Sequence, residues 1–181
     1  NAKDLGRQEE GADFQMVLID ETTNEIVVPN GTMGDRHTNP QKWNLRLENR
    51  NTGAKIDPRL SVFDQRQDVT VVKLPYFGDE EHEGVIERAI PTITVQTVDG
   101  PVKVTTVYDL ILANYGIDRG IGGEVATSYT DDTPYTPTWQ EKITGVKADI
   151  AIATAREFAD NAEKTKGRSM IIMGGGINHW Y

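Results

Sequence analysis

The sequence predicts a mixed α+β chain, with a β-hairpin-rich first half, a helical second half, and one closing strand of a larger α/β domain. Three observations predict it. Short β-branched runs bounded by turn residues fill residues 14–104. Apolar residues then recur at helical spacing, with capping signals at the segment ends. Near the end, a short apolar run leads into Gly174-Gly175-Gly176. The reading divides the chain into a polar N-terminal tail at 1–13, a β-rich region at 14–104 and a helical region at 105–181.

Each element has its own signal. Phe14 to Ile19 and Glu25 to Val28 flank Asp20-Glu21-Thr22-Thr23-Asn24, the pattern of a hairpin. Pro29-Asn30-Gly31 reads as a turn, because Asn and Gly tolerate positive φ. Trp43 to Leu47 alternates apolar and polar residues, as a half-buried strand does, and Val69 to Leu74 gives a further strand. Thr92 to Val98 and Val102 to Val104 surround Asp99-Gly100-Pro101; Pro101 is expected to bar a regular two-residue turn there. Thr105 or Thr106 can cap a helix with Val107, Leu110 and Ile111 on one face, and Gly116 is positioned to end it.

Residues 117–135 are rich in Gly, Asp and Thr and read as a long loop. Thr136-Pro137 is an N-cap followed by a proline where a missing N–H costs nothing, and Gly145 marks the end of that short helix. Asp149 opens a longer helix with Ala151, Ala155, Phe158, Ala159 and Ala162 on one face, its carboxylate set against the positive end of the dipole. Ser169 to Met173 then reads as a short buried strand. Such a strand needs neighbours, so the sequence is expected to be cut from a larger α/β domain. Asn1-Ala2, with no initiator Met, is compatible with the remnant of a cleaved tag.

Composition narrows the function. Of 181 residues, 37% are hydrophobic and mean hydropathy is −0.51. No apolar run approaches the ~20 residues that span a bilayer. Net charge is −9, with 11 basic against 18 acidic side chains in residues 1–100 and 8 against 10 in residues 101–181. A binder of nucleic-acid backbones needs a basic face, so that class is disfavoured. The absence of cysteine removes disulfides, a thiolate nucleophile, Cys-ligated zinc and a cysteine-held cluster from this sequence.

The turn Gly174-Gly175-Gly176-Ile177-Asn178-His179 is the sharpest local feature. Glycines at the carboxyl end of a strand let backbone N–H groups approach a phosphate or nucleotide. The plainer alternative is a turn that needs positive φ. His179 can face a ligand, or be an ordinary surface histidine. Asp79-Glu80-Glu81-His82-Glu83 gathers oxygen ligands but lacks the spacing of a calcium loop, and reads as a solvated acidic loop. His37 has no partner at metal-ligand spacing, and Asp131-Asp132 reads as turn chemistry. No metal-ligand set is expected from this sequence alone.

Longer runs carry a family pattern. Thr136-Pro137-Thr138-Trp139-Gln140-Glu141-Lys142-Ile143-Thr144-Gly145-Val146, followed by Ala155-Arg156-Glu157-Phe158-Ala159, resembles molybdopterin oxidoreductases of the dimethyl-sulfoxide-reductase superfamily. More specific runs resemble the alpha chain of respiratory, membrane-bound nitrate reductase. They include Val27 to Gly31, Lys42 to Leu45, Pro75 to Gly78 with Glu81-His82-Glu83, and Val104 to Leu110. Ala113 to Gly116, Ala126 to Tyr129, Gly167 to Ile172 and Asn178 to Tyr181 continue the match.

The resemblance implies an internal piece of a far longer catalytic chain, inactive when isolated. That parent would carry molybdenum held by two molybdopterin guanine dinucleotides and an iron–sulfur cluster. It would reduce nitrate to nitrite in anaerobic respiration. Its electrons would come from an iron–sulfur beta subunit and a membrane haem gamma subunit, at the cytoplasmic face of a bacterial membrane. Gly174, Gly175, Gly176, Asn178 and His179 would face the cofactor. The histidine matching His179 would lie near the metal without ligating it. Gly175 departs from the alanine common in the family. The other readings are a related nitrite oxidoreductase or other oxyanion reductase, and a non-catalytic binding module.

Overall fold

The computed structural model describes residues 1–30, 46–76, 84–172 and Gly174. The chain forms two compact units, one of Asn1–Asn114 with Arg119–Glu124 and one of Tyr115–Asp118 with Val125–Tyr181. The class is mixed α+β, with strands in the first half and helices in the second.

The first unit begins with a short 3-10 helix at Lys3–Leu5. The first thirteen residues, polar enough to read as a tail, instead bury two alanines. Ala2 N donates to Gln15 O at 3.2 Å and Lys3 N to Ala12 O at 3.1 Å, and Ala2, Ala12 and Val28 form a small core with Val17. Strands β1 (Leu18–Ile19) and β2 (Ile26–Val27) form the expected hairpin, with Leu18 opposite Val27. Asn24 takes φ 59° in its loop, where Asn is tolerated. Asp20 ties that loop down by accepting from Thr22 N and, across the sequence, from Asp57 N, both at 3.2 Å.

Pro29-Asn30 is a strand rather than a turn. It forms β3 (Pro29–Asn30), antiparallel to β4 (Arg46–Asn49) with a register irregularity. Proline's fixed φ suits extended backbone, and a short edge pairing needs little from its missing N–H. Strand β4 continues the alternating run, although Leu47 is half exposed. Trp43 to Leu45 lie outside the described residues, as do Gly31, His37 and the acidic loop with His82.

Strands β5 (Asp68–Pro75), β6 (Val85–Thr97) and β7 (Gly100–Val104) make an antiparallel sheet in that order. β6 buries Ile86, Arg88, Ile90 and Thr92, the period-two pattern of a sheet with one inner face. It starts seven residues before the expected Thr92. Here Pro91 pairs with Val69 of β5, on a stretch of β6 that β7 does not reach. The β6–β7 connection is a two-residue turn after all: Thr97 pairs with Gly100, leaving Val98-Asp99 between them. Gly100 takes φ 109°, and Pro101 sits on an outer strand where a missing donor is tolerated.

Helix α1 (Val107–Asn114) packs against β6 and belongs to the first unit, not with the later helices. Its buried residues are Asp109 and Ala113, whereas Val107 and Ile111, expected inward, are exposed. A buried carboxylate decides which face turns in.

The second unit contains α2 (Pro137–Thr144) and α3 (Ala148–Thr165), which pack on each other. The apolar run after α3 does not form the expected strand: Ser169 to Ile172 carry no ladder pairing among the described residues, and Met170, Ile171 and Ile172 are exposed. A strand exists only with a partner, and none of the described residues supplies one.

Candidate functional site

The candidate turn follows α3 in sequence, Gly174 standing nine residues beyond the end of the helix at Thr165. Thr136 is the N-cap of α2, its hydroxyl accepting from Trp139 N at 3.1 Å and donating to Asp131 O at 2.6 Å. Pro137 follows at the first helical position, and Gly145 closes the helix with φ 73°. Asp131 organises the preceding loop by accepting from Thr127 N, Thr127 Oγ1 and Ser128 N at 2.8–3.0 Å. Those bonds, the Thr127 hydroxyl first, hold its carboxyl below the usual aspartate range. Tyr135, at φ 74°, packs against Trp139 with the rings tilted by 59° and their centroids 5.3 Å apart, and meets Tyr115 edge-on at 6.0 Å.

Glu141 joins the two helices. Its carboxylate accepts from Lys147 Nζ at 2.6 Å and from Ala148 N at 2.8 Å, satisfying a free amide at the start of α3. The Lys147 bond is the main reason its carboxyl lies below the ordinary glutamate range. Asp149 does sit in the first turn of α3, but the residue before the helix supplies no side-chain cap. That role falls to Glu141, a contact that helix-start signals could not reveal because it comes from another helix.

The far end of α3 is closed by a Schellman motif. Lys166 takes φ 55°, its N–H reaching Glu163 O at 3.3 Å while Gly167 N reaches Ala162 O at 2.6 Å. The outgoing chain is then strapped back on the helix. Asn161 Nδ2 donates to Ser169 Oγ at 2.8 Å, and Ser169 Oγ donates to Phe158 O at 3.1 Å. This fixes where the run toward the turn departs. Of the turn itself, Gly174 is exposed, with open space where a Cβ would stand. Gly175, Gly176, Asn178 and His179 lie outside the described residues.

A molybdenum cofactor would require metal ligands or a tight backbone cradle. No group of three or more His, Cys, Asp or Glu that could hold a metal occurs among the described residues. Gly174 does not form a cradle that a side chain would fill. Among the described residues there is thus neither a ligand set nor a cradle for such a group.

The most developed polar centre lies in the first unit, and sequence reasoning missed it. The Asp109 side chain is fully buried and accepts from Ser61 Oγ at 2.6 Å, Val62 N at 2.9 Å, Thr106 Oγ1 at 2.7 Å and Arg119 at 2.5 Å. Burial pushes its carboxyl up, but these four donors outweigh burial and leave it below the ordinary aspartate range. Thr106 Oγ1 also accepts from Asp109 N at 3.1 Å, a reciprocal cap at the start of α1. Arg119 donates to Ser61 Oγ at 2.9 Å and lies 4.1 Å over the Phe63 ring. The Thr106-x-x-Asp109 spacing was the available signal. Its other partners, 48 and 10 residues away from Asp109 for Ser61 and Arg119, leave no trace in local pattern. With every lone pair engaged, this site holds structure rather than substrate.

The described residues thus form a mixed α+β chain whose second unit is ordered by capped helices. No family model matches it. It is 46% identical over 181 residues to the nitrate reductase alpha chain of Bacillus subtilis (strain 168), covering all of this chain and 15% of that relative. It is 45% identical over 184 residues to the respiratory nitrate reductase 1 alpha chain of Escherichia coli (strain K12), covering 96% of this chain and 15% of the relative. A respiratory nitrate reductase alpha chain from Bradyrhizobium sp. is 42% identical over 186 residues, again across 96% of this chain. The chain belongs with the nitrate reductase alpha chains, and spans about 15% of the length of the relatives just named first and second.

Proposed function

We propose that this chain is a segment of the catalytic subunit of a molybdenum-dependent nitrate reductase, converting nitrate to nitrite in anaerobic respiration. The observation that carries the reading is the identity of 42–46% to nitrate reductase alpha chains over nearly the whole chain. In this reading the parent holds molybdenum on two molybdopterin guanine dinucleotides together with an iron–sulfur cluster. It takes electrons from an iron–sulfur beta subunit and a membrane haem gamma subunit at the cytoplasmic face of the membrane. None of the helices in the described residues is long and apolar enough to cross a membrane, so attachment would come through other segments or subunits.

The segment's own contribution is scaffold plus the turn Gly174 to His179. Its glycines let main-chain N–H groups approach an anionic cofactor, and His179 orients or polarises groups near the metal without binding it. What supports this reading is the resemblance of Asn178 to Tyr181 to the family; the Asn161–Ser169 strap ties down the chain as it leaves α3. The test uses the full-length enzyme. His179→Ala is expected to lower nitrate turnover by about 10–100-fold, the scale of losing a group that supports a metal site. His82→Ala, in the acidic loop, is expected to stay within about twofold, as surface changes do. Equal effects of the two would remove the special status of the turn. The chain expressed by itself is expected to bind no molybdenum, and stoichiometric metal on it would overturn the reading.

A further inference from the structure

Strand β6 is partnered unevenly. β5 covers Val85 to Thr92 on one edge and β7 covers Ile93 to Thr97 on the other. On the β7 side, the first part of β6 has no strand beside it among the described residues. The segment 119–124 lies there instead. Gly123 forms an antiparallel bridge with Arg88. Glu124 N donates to Glu87 O at 3.2 Å, while the Glu124 carboxylate accepts from Glu87 N at 3.3 Å. One residue thus meets both main-chain groups that Glu87 presents, its carboxylate standing where the carbonyl of a pairing strand would be. The approach is close: a Cβ on Gly123 would sit 2.7 Å from Ala89 N, and Gly123 takes φ 89°.

The other end of the segment is Arg119, held by Asp109 at 2.5 Å, by Ser61 Oγ at 2.9 Å and over the Phe63 ring. Between the ends, Gly120, Gly122 and Gly123 all have positive φ. Such a stretch has little conformational preference of its own, and ordering it costs more backbone entropy than any other composition would. Its position must therefore come from its anchors. Of these, the charge-assisted, part-buried Arg119–Asp109 pair is stronger than the long contacts at Glu87.

We propose that residues 119–124 are a latched strap over the open edge of β6, and that the Arg119–Asp109 pair is the latch. An open edge offers unpaired N–H and C=O groups to any extended segment. The strap occupies both of those groups at Glu87, with Gly123 close against Ala89 N, and excludes strand addition there. Releasing Arg119 frees the edge while the β6–β7 ladder stays paired.

Hydrogen exchange followed by mass spectrometry on the full-length protein tests this. In Arg119→Leu, the amides of Glu87 and Glu124 should exchange at least about tenfold faster, the scale of one lost charge-assisted hydrogen bond. Residues 93–97 should change by much less, whatever stability the unit as a whole loses. Because Arg119→Leu leaves a buried carboxylate with one donor fewer, the double variant Asp109→Asn/Arg119→Leu removes both charges and should open the same residues. Gly123→Ala should open them from the other end with the latch intact. Wild-type protection at Glu87 and Glu124 in the double variant would overturn the proposal. So would a rise spread evenly over 85–97, which would make Arg119 a general contributor to stability.

Discussion

The two units hold themselves together by different means. In the first, residues far apart in sequence meet: Ser61, Val62, Thr106 and Arg119 all converge on one carboxylate, and a 13-residue strand is paired along both of its halves. All the buried hydrophobic residues among the described ones belong to this unit. In the second, order comes from neighbours in sequence: a threonine cap, a proline at the first helical position, a Schellman closure and a side-chain strap. Its helices bury none of their residues, and Ile150 and Phe158 stand 57% and 40% exposed. Local capping defines where helices start and stop, but contributes only about 1 kcal/mol per device. A buried network ties distant segments together and fails as a whole.

The largest way to break this contrast is Asp109→Ala. It strands the Arg119 charge and leaves Val62 N–H without its acceptor, so the first unit should lose roughly 3–5 kcal/mol. Urea unfolding, read by segment-resolved hydrogen exchange, should show the loss in residues 1–114 while α2 and α3 keep their protection. Simultaneous loss in both units would end the distinction.

Acid should reproduce part of that effect. Asp109 has a folded value below its ordinary 3.8, so its contribution is full above the unfolded value and disappears as pH falls through the lower folded one. A titration of stability should show an acid limb below about pH 4 that is reduced in Asp109→Asn. Raising the pH from neutrality should leave this contribution unchanged, since the carboxylate is already fully ionised.

The second unit should respond in smaller steps. Thr136→Ala removes the cap of α2 and the bond to Asp131 O, and is expected to cost about 1 kcal/mol, confined to residues 127–145. Circular dichroism with exchange data over that segment checks it; spread into α3 would show tighter coupling than local caps provide. Lys166→Gly should stabilise the end of α3 by about 0.5–1 kcal/mol, because a lysine at φ 55° carries a left-handed penalty that glycine avoids. A loss of stability would mean that the lysine side chain contributes more than its backbone costs.

What was legible in the sequence follows the same division. Thr136-Pro137 and Gly145 mark their helix correctly because capping chemistry acts within a few residues. The hairpin around Asp20 to Asn24 and strand β5 were legible for the same reason. The two-residue turn at Val98-Asp99 was misread, since the rule against Pro101 ignores that an outer strand can lack a donor. The inward face of α1 was misread because hydrophobicity ranks Val107 and Ile111 above Asp109, and nothing local announces that Ser61 and Arg119 wait to satisfy that carboxylate. The strap of Asn161 and Ser169 back onto α3 had no local signal, because it joins side chains that no capping rule pairs.

By itself, then, the sequence determined the α+β class, the hairpins, the helix boundaries and the kinship with nitrate reductase alpha chains. These depend on interactions a few residues long or on residue identity alone. Only the tertiary structure decided which helix face turns inward, that Glu141 caps α3, and that a glycine-rich loop returns to cover β6. Those choices depend on buried polar groups finding partners tens of residues away, and the free energy of satisfying them exists only once the chain has folded.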